Sequence, residues 1–235
     1  MKNKTRKKPN YGVQAPKDLL VFISLTVIFL LGFLLIPGWW KYLFLTLFVC
    51  FLYMTALMLI NSTNWYRDKL SRFIVDQCKV NKGSKVLDVG CGSGSLSIAF
   101  TRQVTGGEVW GIDVWKKGDL SGNIPERVLE NIRIEGVENI VKVKTADARE
   151  IPFPDNYFDA IGSVYVLHNI HPNREKAVFE MIRVLKPGGI LAIAEGGIPW
   201  WVKYDVLPKL LKEKTLKNAR FQRCLLTKIF LAEKG

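Results

Sequence analysis

The stretch Val86–Ser97, "VLDVGCGSGSLS", decides the fold. An apolar run ends on three alternate glycines, Gly90, Gly92 and Gly94, and passes straight into a helix-forming segment. Strand, glycine turn and helix in that order open a βαβ unit, because glycine lets the backbone turn tightly and approach a ligand. Alone, such a loop admits any nucleotide-like cofactor. No Lys-Ser/Thr pair follows the last glycine, so a phosphate-cradling P-loop is excluded. Asp88 stands two residues before the first glycine, in the mouth of the site. A carboxylate there repels a pyrophosphate but can face an ammonium. Asp113 ends the next apolar run, where an acid can accept both hydroxyls of a ribose. Adenosine with a cationic amino-acid tail meets these constraints better than a dinucleotide does.

From Asn61 onward, strand and helix signals alternate, the pattern of a parallel sheet with helices on both faces. "NWYRDKLSRFIVDQCKV" is an amphipathic lead-in helix. "KVLDVG", "EVWGID", "IVKVKT", "FDAIGSVYVL" and "ILAIAE" read as five strands, the fourth apolar enough to be central. "LSIAFTRQV", "NIPERVLENIRIEG" and "REKAVFEMIRVL" read as the helices between them. In the second of these, Asn123 is the expected cap and Gly136 the stop. "KPGG" reads as a turn, "VKYDVLPKLLKEK" as a further helix, and "ARFQRC" with "LTKIFLAEK" as a closing antiparallel pair.

Those segments, taken together and in order, resemble the class I S-adenosylmethionine-dependent methyltransferases. "VLDVGCGSG" is similar to the family's first motif, and "VWGIDV" to its second-strand acid. "TADAREIPFPDNYFDAIGSVYVLHNI" resembles the run through the third and fourth motifs, and "RVLKPGGILAIAE" the fifth-strand hairpin. The resemblance covers Lys85 to the C-terminus. It implies an α/β fold with a seven-stranded, mostly parallel, doubly wound sheet of order 3-2-1-4-5-7-6, the last strand antiparallel. It also implies S-adenosylmethionine as cofactor. Asp88, Gly90, Gly92 and Gly94 would then line its methionine and adenosine side, with Cys91 and Ser93 filling the turn. Asp113 would hold the ribose hydroxyls, with Val114 beside it. Asp147 would accept from the adenine amino group next to Ala148, and Ser163 to Val166 would run under the cofactor. Asp159 reads as an acid at the start of a strand rather than a ligand.

Methyl transfer from a sulfonium is an in-line displacement, so the protein mainly aligns the nucleophile and removes its proton. "VLHNIH" at the end of the fourth strand places His168, Asn169 and His171 at the expected mouth. These are the chain's two histidines and a neighbouring amide, and His168 is the leading candidate base. The competing reading is that His168 packs or caps the helix after Pro172. No "NPPY"-like signature is present, which counts against amino-methylation of nucleic acid. "GGIPWWVKYDVLPKLLKEK" follows the fifth strand and is either a family helix on the sheet or an interfacial element, with Trp200 and Trp201 at its start.

Upstream of this domain lie two uncharged runs, Leu19–Ile36 and Tyr42–Ile60. As helices they would be roughly 27 Å and 29 Å long, close to a hydrocarbon core of about 30 Å. "PGWWK" between them breaks the helix and supplies interfacial tryptophans. Lys2, Lys4, Arg6, Lys7, Lys8 and Lys17 precede the first run; Arg67, Lys69 and Arg72 follow the second; the turn offers only Lys41. Both flanks should therefore be cytoplasmic. A cleaved signal peptide fits less well, since a second run follows. The expected layout is a basic cytoplasmic tail over 1–17, a transmembrane helical hairpin over 18–60, spanning or re-entrant, and a methyltransferase domain over 61–235.

The 235 residues carry a formal charge of +13, nearly half of it in the tail. No stripe of cations with interleaved aromatics appears, so no nucleic-acid partner is expected. Cys50, Cys78, Cys91 and Cys224 form no CxxC pair, and no metal site or disulfide framework is expected. The sequence reads as a membrane-anchored methyltransferase whose acceptor is small or lipid-soluble: a quinone-like compound, a lipid amine or another hydrophobic metabolite. The alternatives are a nicotinamide-dependent reductase, against which Asp88 and "LKPGG" count, and a non-catalytic S-adenosylmethionine-binding module on a membrane.

Overall fold

Seven strands form one sheet in the order β3-β2-β1-β4-β5-β7-β6. The computed structural model describes residues 7–13, 15–116, 120–196 and 215–235. Its strands are β1 (Lys85–Val89), β2 (Glu108–Asp113), β3 (Val141–Thr145), β4 (Phe158–Val164), β5 (Leu185–Gly196), β6 (Leu216–Cys224) and β7 (Thr227–Lys234). The helices are α1 (Pro16–Leu35), α2 (Trp40–Asn61), α3 (Asn64–Gln77), α4 (Ser95–Phe100), α5 (Pro125–Glu135) and α6 (Arg174–Val184). Strands β1 to β5 pair in parallel, and β7 is antiparallel to both β5 and β6. The implied strand order and the closing antiparallel pair are both present. The helix read in "VKYDVLPKLLKEK", with Trp200 and Trp201, lies outside the described residues.

Three local expectations are corrected. The N-cap of α5 is Ile124, not Asn123, and no side chain caps it; Pro125 already fixes the first helical turn there. "KPGG" is not a turn ahead of the fifth strand but lies within β5. Phe158 pairs with Leu185 and Ala160 with Ile190, so Lys186–Gly189 bulge out of the ladder. Strand β4 stops at Val164, because Tyr165 takes a left-handed φ of 57° and Leu167–Asn169 coil into a short 3-10 turn. That break turns "VLHNIH" out of the sheet and onto its rim.

The chain divides into two compact units. The sheet unit takes the described residues of Met1–Tyr11, Asp68–Trp115 and Ile124–Gly235; the other takes those of Gly12–Arg67 and Lys116–Asn123. In the sheet unit the core is built by period-two and period-3.6 burial. Leu87, Val89, Ile161, Leu191 and Phe230 from the strands meet Val178, Met181 and Ile182 from α6. Each such side chain contributes roughly 1.5–3 kcal/mol on burial. On the other face Leu96 of α4 lies so close to Gly162 that a Cβ there would come within 2.6 Å of it. The glycine in β4 is what lets α4 seat against the sheet.

In the second unit α1 and α2 form a helical hairpin. Phe29 and Phe51 rings lie 5.0 Å apart, Phe22 and Phe51 5.7 Å, and the Thr26 and Thr55 hydroxyls share a hydrogen bond of 3.1 Å. Leu20, Val27, Leu34, Leu43 and Leu52 are exposed. Both helices are long and apolar enough to cross a membrane. Trp39 and Trp40 stack at 3.9 Å in the connection.

Candidate active site

The glycine loop is fastened to the end of β2. Gly90 and Cys91 N–H both donate to the Ile112 carbonyl, at 2.8 and 3.0 Å, and Gly92 N–H donates to Asp113 Oδ2 at 2.9 Å. Gly90 has a φ of 71°, and a Cβ on it would lie 2.2 Å from Val166 Cγ2. The loop therefore approaches the tip of β4 more closely than any residue with a side chain could. Gly94, with a φ of 86°, hands the chain to α4 and packs against Val128.

Asp113 is half-buried at the loop's edge, and its Oδ1 accepts from Trp115 N–H at 2.7 Å. Val114 beside it is 54% exposed, an apolar surface next to an acceptor carboxylate. A glycine loop, an acceptor at its rim and an exposed aliphatic side chain suit, in turn, the amino-acid tail, the sugar and the base of an adenosine that carries such a tail. Of the residues expected to hold S-adenosylmethionine, the Gly90–Gly94 loop, Asp113 and Val114 are chemically suited to such a group. Across the strand ends, Trp115 Nε1–H donates to Thr145 Oγ1 at 2.8 Å.

Asp88 stands differently from the expectation. Its carboxylate is 2% exposed, and Oδ2 accepts from Ser97 N–H at 2.9 Å and Ser97 Oγ–H at 2.6 Å. Burial pushes its pKa up to about 7, against the lowering effect of the two Ser97 bonds. Asp88 lies beneath the loop and ties β1 to α4; it does not reach into the mouth. Asp147 is half-buried and held by Arg149, which donates from its backbone N–H and from Nε and Nη2. Those bonds outweigh partial burial and lower its pKa. Ala148 is buried, as is Ser163, whose hydroxyl has no partner among the described residues. Cys91 is buried in the turn, its pKa raised by burial. Asp159 accepts from Lys85 N–H at 2.8 Å and Lys186 Nζ at 2.6 Å, a strand-start role.

At the tip of β4 the structure brings His168 to a residue sequence reasoning did not single out. Glu195, fully buried at the end of β5, lies with Oε2 2.7 Å from His168 Nδ1. Its Oε1 accepts from Val166 N–H at 3.1 Å and Leu167 N–H at 2.7 Å. A carboxylate accepting at Nδ1 fixes the proton there and leaves Nε2 as the lone-pair nitrogen. Nε2 has no partner among the described residues, and the His168 side chain is 35% exposed. The available signal was an acid ending the otherwise apolar run "ILAIAE", at the same sheet edge as "VLHNIH". Asn169 is half-buried in the same turn. His171 is exposed; its Nε2 contacts the His168 carbonyl at 2.9 Å, a bond that shapes the turn.

A second unflagged group backs the loop from the outside. Asn131 of α5 donates to the Ser93 carbonyl at 2.9 Å and the Asn10 carbonyl at 3.0 Å, and accepts from Asn10 N–H at 2.9 Å. Ser93 Oγ–H donates to the Tyr11 carbonyl at 2.8 Å, Tyr11 is buried, and Lys7 pairs with Glu130. The segment Lys7–Tyr11 is thus a strap across the glycine loop. No sequence pattern indicated it.

Residues 87–193 match the family model described as a methyltransferase domain. The ubiquinone/menaquinone biosynthesis C-methyltransferase UbiE of Psychromonas ingrahamii is 35% identical over 150 residues, 60% of this chain and 57% of that protein. UbiE of Chromobacterium violaceum is 40% identical over 129 residues, 54% of this chain and 49% of that protein. The chain therefore spans about half the length of the curated relatives it matches. Among solved structures, a SAM-dependent methyltransferase from Aquifex aeolicus superposes with a TM-score of 0.56 at 24% identity, covering 72% of this chain and 93% of its own.

Proposed function

We propose, from its class I S-adenosylmethionine-dependent methyltransferase fold and the methyltransferase domain over residues 87–193, that this chain transfers a methyl group to a hydrophobic, quinone-like acceptor at a membrane. The observation that carries the reading is the Glu195–His168 pair at the mouth of a glycine loop. Bound S-adenosylmethionine supplies an electrophilic methyl group. The chain's own part is to hold the cofactor with the Gly90–Gly94 loop and Asp113, and to place a base beside the acceptor. His168 Nε2 takes a proton from an acceptor hydroxyl or acidic carbon, and Glu195 stabilises the imidazolium that forms. An aromatic diol suits this arrangement: removing its hydroxyl proton raises electron density on both the oxygen and the neighbouring ring carbon.

The similarity to quinone C-methyltransferases supports a quinone-type acceptor over a lipid amine. Two apolar helices with cation-rich flanks support a membrane hairpin with the sheet unit on the cytoplasmic side. Confinement to the bilayer raises the effective concentration of a lipid-soluble acceptor. The test is purified full-length protein with methyl-labelled S-adenosylmethionine and liposomes containing a demethylated quinol. Label in the lipid extract supports the reading. Label confined to water-soluble products or to protein overturns the acceptor class. Calorimetric binding of NADH but not of S-adenosylmethionine overturns the activity.

A further inference from the structure

The β6–β7 hairpin turns on two leucines. Cys224 pairs with Thr227, so Leu225 and Leu226 alone make the connection. Two-residue hairpin turns favour Gly, Asn or Asp, because they require positive φ. Here Leu225 takes a φ of 52° and is 44% exposed. A left-handed leucine is strained, and its exposure gives the fold no compensating burial. Among the described residues no burial of Leu225 offsets that strain.

The surroundings of that tip are cationic. From Leu216 to Ala232 the sequence has no Asp or Glu, but it has Lys217, Arg220, Arg223 and Lys228. Lys217 is paired with Glu233. Lys228 Nζ sits 4.1 Å over the ring of Phe221, which is itself exposed. Lys69 of α3 lies near enough to Cys224 to bear on its thiol. The acid in register with Lys228 is Glu195, which is fully buried and engaged with His168. Exposed leucine and phenylalanine within a cation-rich border is the composition of a surface that meets anionic lipid headgroups.

Topology sets where the tip lies. Because β7 runs antiparallel to β5, Thr227 pairs with Gly196 at the carboxyl end of the parallel strands. Thr227 Oγ1 also hydrogen-bonds the hydroxyl of Tyr165, three residues before His168. The apolar tip therefore stands on the same rim as the proposed base.

We infer that the Leu225–Leu226 tip, with Phe221, Arg223 and Lys228 beside it, is a docking surface for an anionic phospholipid bilayer. It sets the rim that carries His168 against the membrane. The inference rests on the membrane reading above, but it concerns a different part of the chain from α1 and α2. Leucine at the tip enters the headgroup–acyl boundary, and the cations hold the surface down.

The test uses full-length protein reconstituted into vesicles of phosphatidylcholine, or of phosphatidylcholine mixed with phosphatidylglycerol. Hydrogen exchange is read at Leu225 and Leu226. Exchange should slow at least several-fold in the anionic vesicles relative to detergent, and less in the neutral ones. Leu225→Asn with Leu226→Ser should abolish the slowing while keeping or raising the melting temperature, because asparagine accepts a left-handed φ. That preserved fold separates lost docking from unfolding. Arg223→Gln with Lys228→Gln should remove most of the dependence on phosphatidylglycerol, by roughly fivefold per cation. Equal exchange in detergent and in both lipids overturns docking, as does slowing that survives the leucine changes. Alkaline carbonate extraction of the same vesicles reports on α1 and α2 independently. Retention of the chain with an unprotected tip defeats docking and leaves anchoring; release of the chain with a protected tip does the reverse.

Discussion

Glu195 and His168 are joined at 2.7 Å between Oε2 and Nδ1, and the acid is fully buried while the imidazole is 35% exposed. That asymmetry orients the ring. The carboxylate fixes the tautomer from inside and leaves Nε2 as the lone-pair nitrogen. His168→Ala should lower methyl transfer by about 10²–10⁴, with the S-adenosylmethionine Kd unchanged by calorimetry.

Glu195→Gln should act through His168. The amide keeps the shape but can donate to Nδ1, which moves the proton to Nε2 and removes its lone pair. Methyl transfer should fall nearly as far as in His168→Ala, and the double variant should fall little further, as for groups acting as a unit. A purely structural role for Glu195 would lower the melting temperature without changing the pH profile of kcat. His171→Ala loses the contact to the His168 carbonyl that shapes the turn but removes no group beside the acceptor, so kcat should fall far less than in His168→Ala.

Gly90→Ala tests the loop. A φ of 71° costs a residue with a Cβ roughly 1–2 kcal/mol, and that Cβ meets Val166 at 2.2 Å. Either the loop or the β4 tip must shift. Cofactor affinity should fall by an order of magnitude or more, and kcat should fall as well, because Val166 N–H is one of the donors that holds Glu195. Gly136→Ala lies away from the site, so it serves as the control: it strains only the end of α5 and should leave the cofactor Kd unchanged.

Asn131→Ala tests the strap. Three hydrogen bonds are lost, and the Ser93 carbonyl loses its side-chain donor, at a cost of about 1–3 kcal/mol. Limited proteolysis should then cut near Lys7–Lys8 in folded protein, where wild type resists. Cofactor affinity should weaken together with that susceptibility, since Ser93 belongs to the glycine loop. Unchanged affinity with an opened strap would mean that the strap is only an anchor.

Most strands were legible as apolar or alternating runs bounded by turn residues, whereas their order followed from the resemblance to the methyltransferases, because apolar runs alone do not fix which strands pair. The rim was less legible. Nothing in "VYVLHNI" marks Tyr165 as left-handed, yet that single φ ends β4 early and swings His168 toward Glu195. The partnership joins residues 27 positions apart on neighbouring strand ends, a relation set by register rather than by local pattern. Asp88 shows the opposite limit. Its position in the motif was plain, but only packing shows that Ser97 takes its carboxylate beneath the loop. The Lys7–Tyr11 strap lies in a segment that reads only as basic, because its contacts to Asn131 and Ser93 run through the backbone of Asn10 and Tyr11, which carries no sequence signal.

Asp88 gives a prediction with a definite sign. Its carboxyl is held near 7 in the folded protein, against 3.8 for the free group, because burial disfavours the charge. A raised folded pKa means that the native state keeps the proton over a range where the unfolded chain has lost it. Its stabilising contribution is therefore complete below about pH 4 and declines as pH rises through about 7, by a few kcal/mol at most. Asp88→Asn removes this titration while its amide oxygen can still accept from Ser97. The difference in unfolding free energy between variant and wild type should thus shift in the variant's favour between about pH 4 and pH 7 and level off above. Denaturant melts across that range check it. A difference that is flat with pH would mean that Ser97 holds the carboxylate ionised despite its burial, and the tie between β1 and α4 would then be a charge-assisted bond.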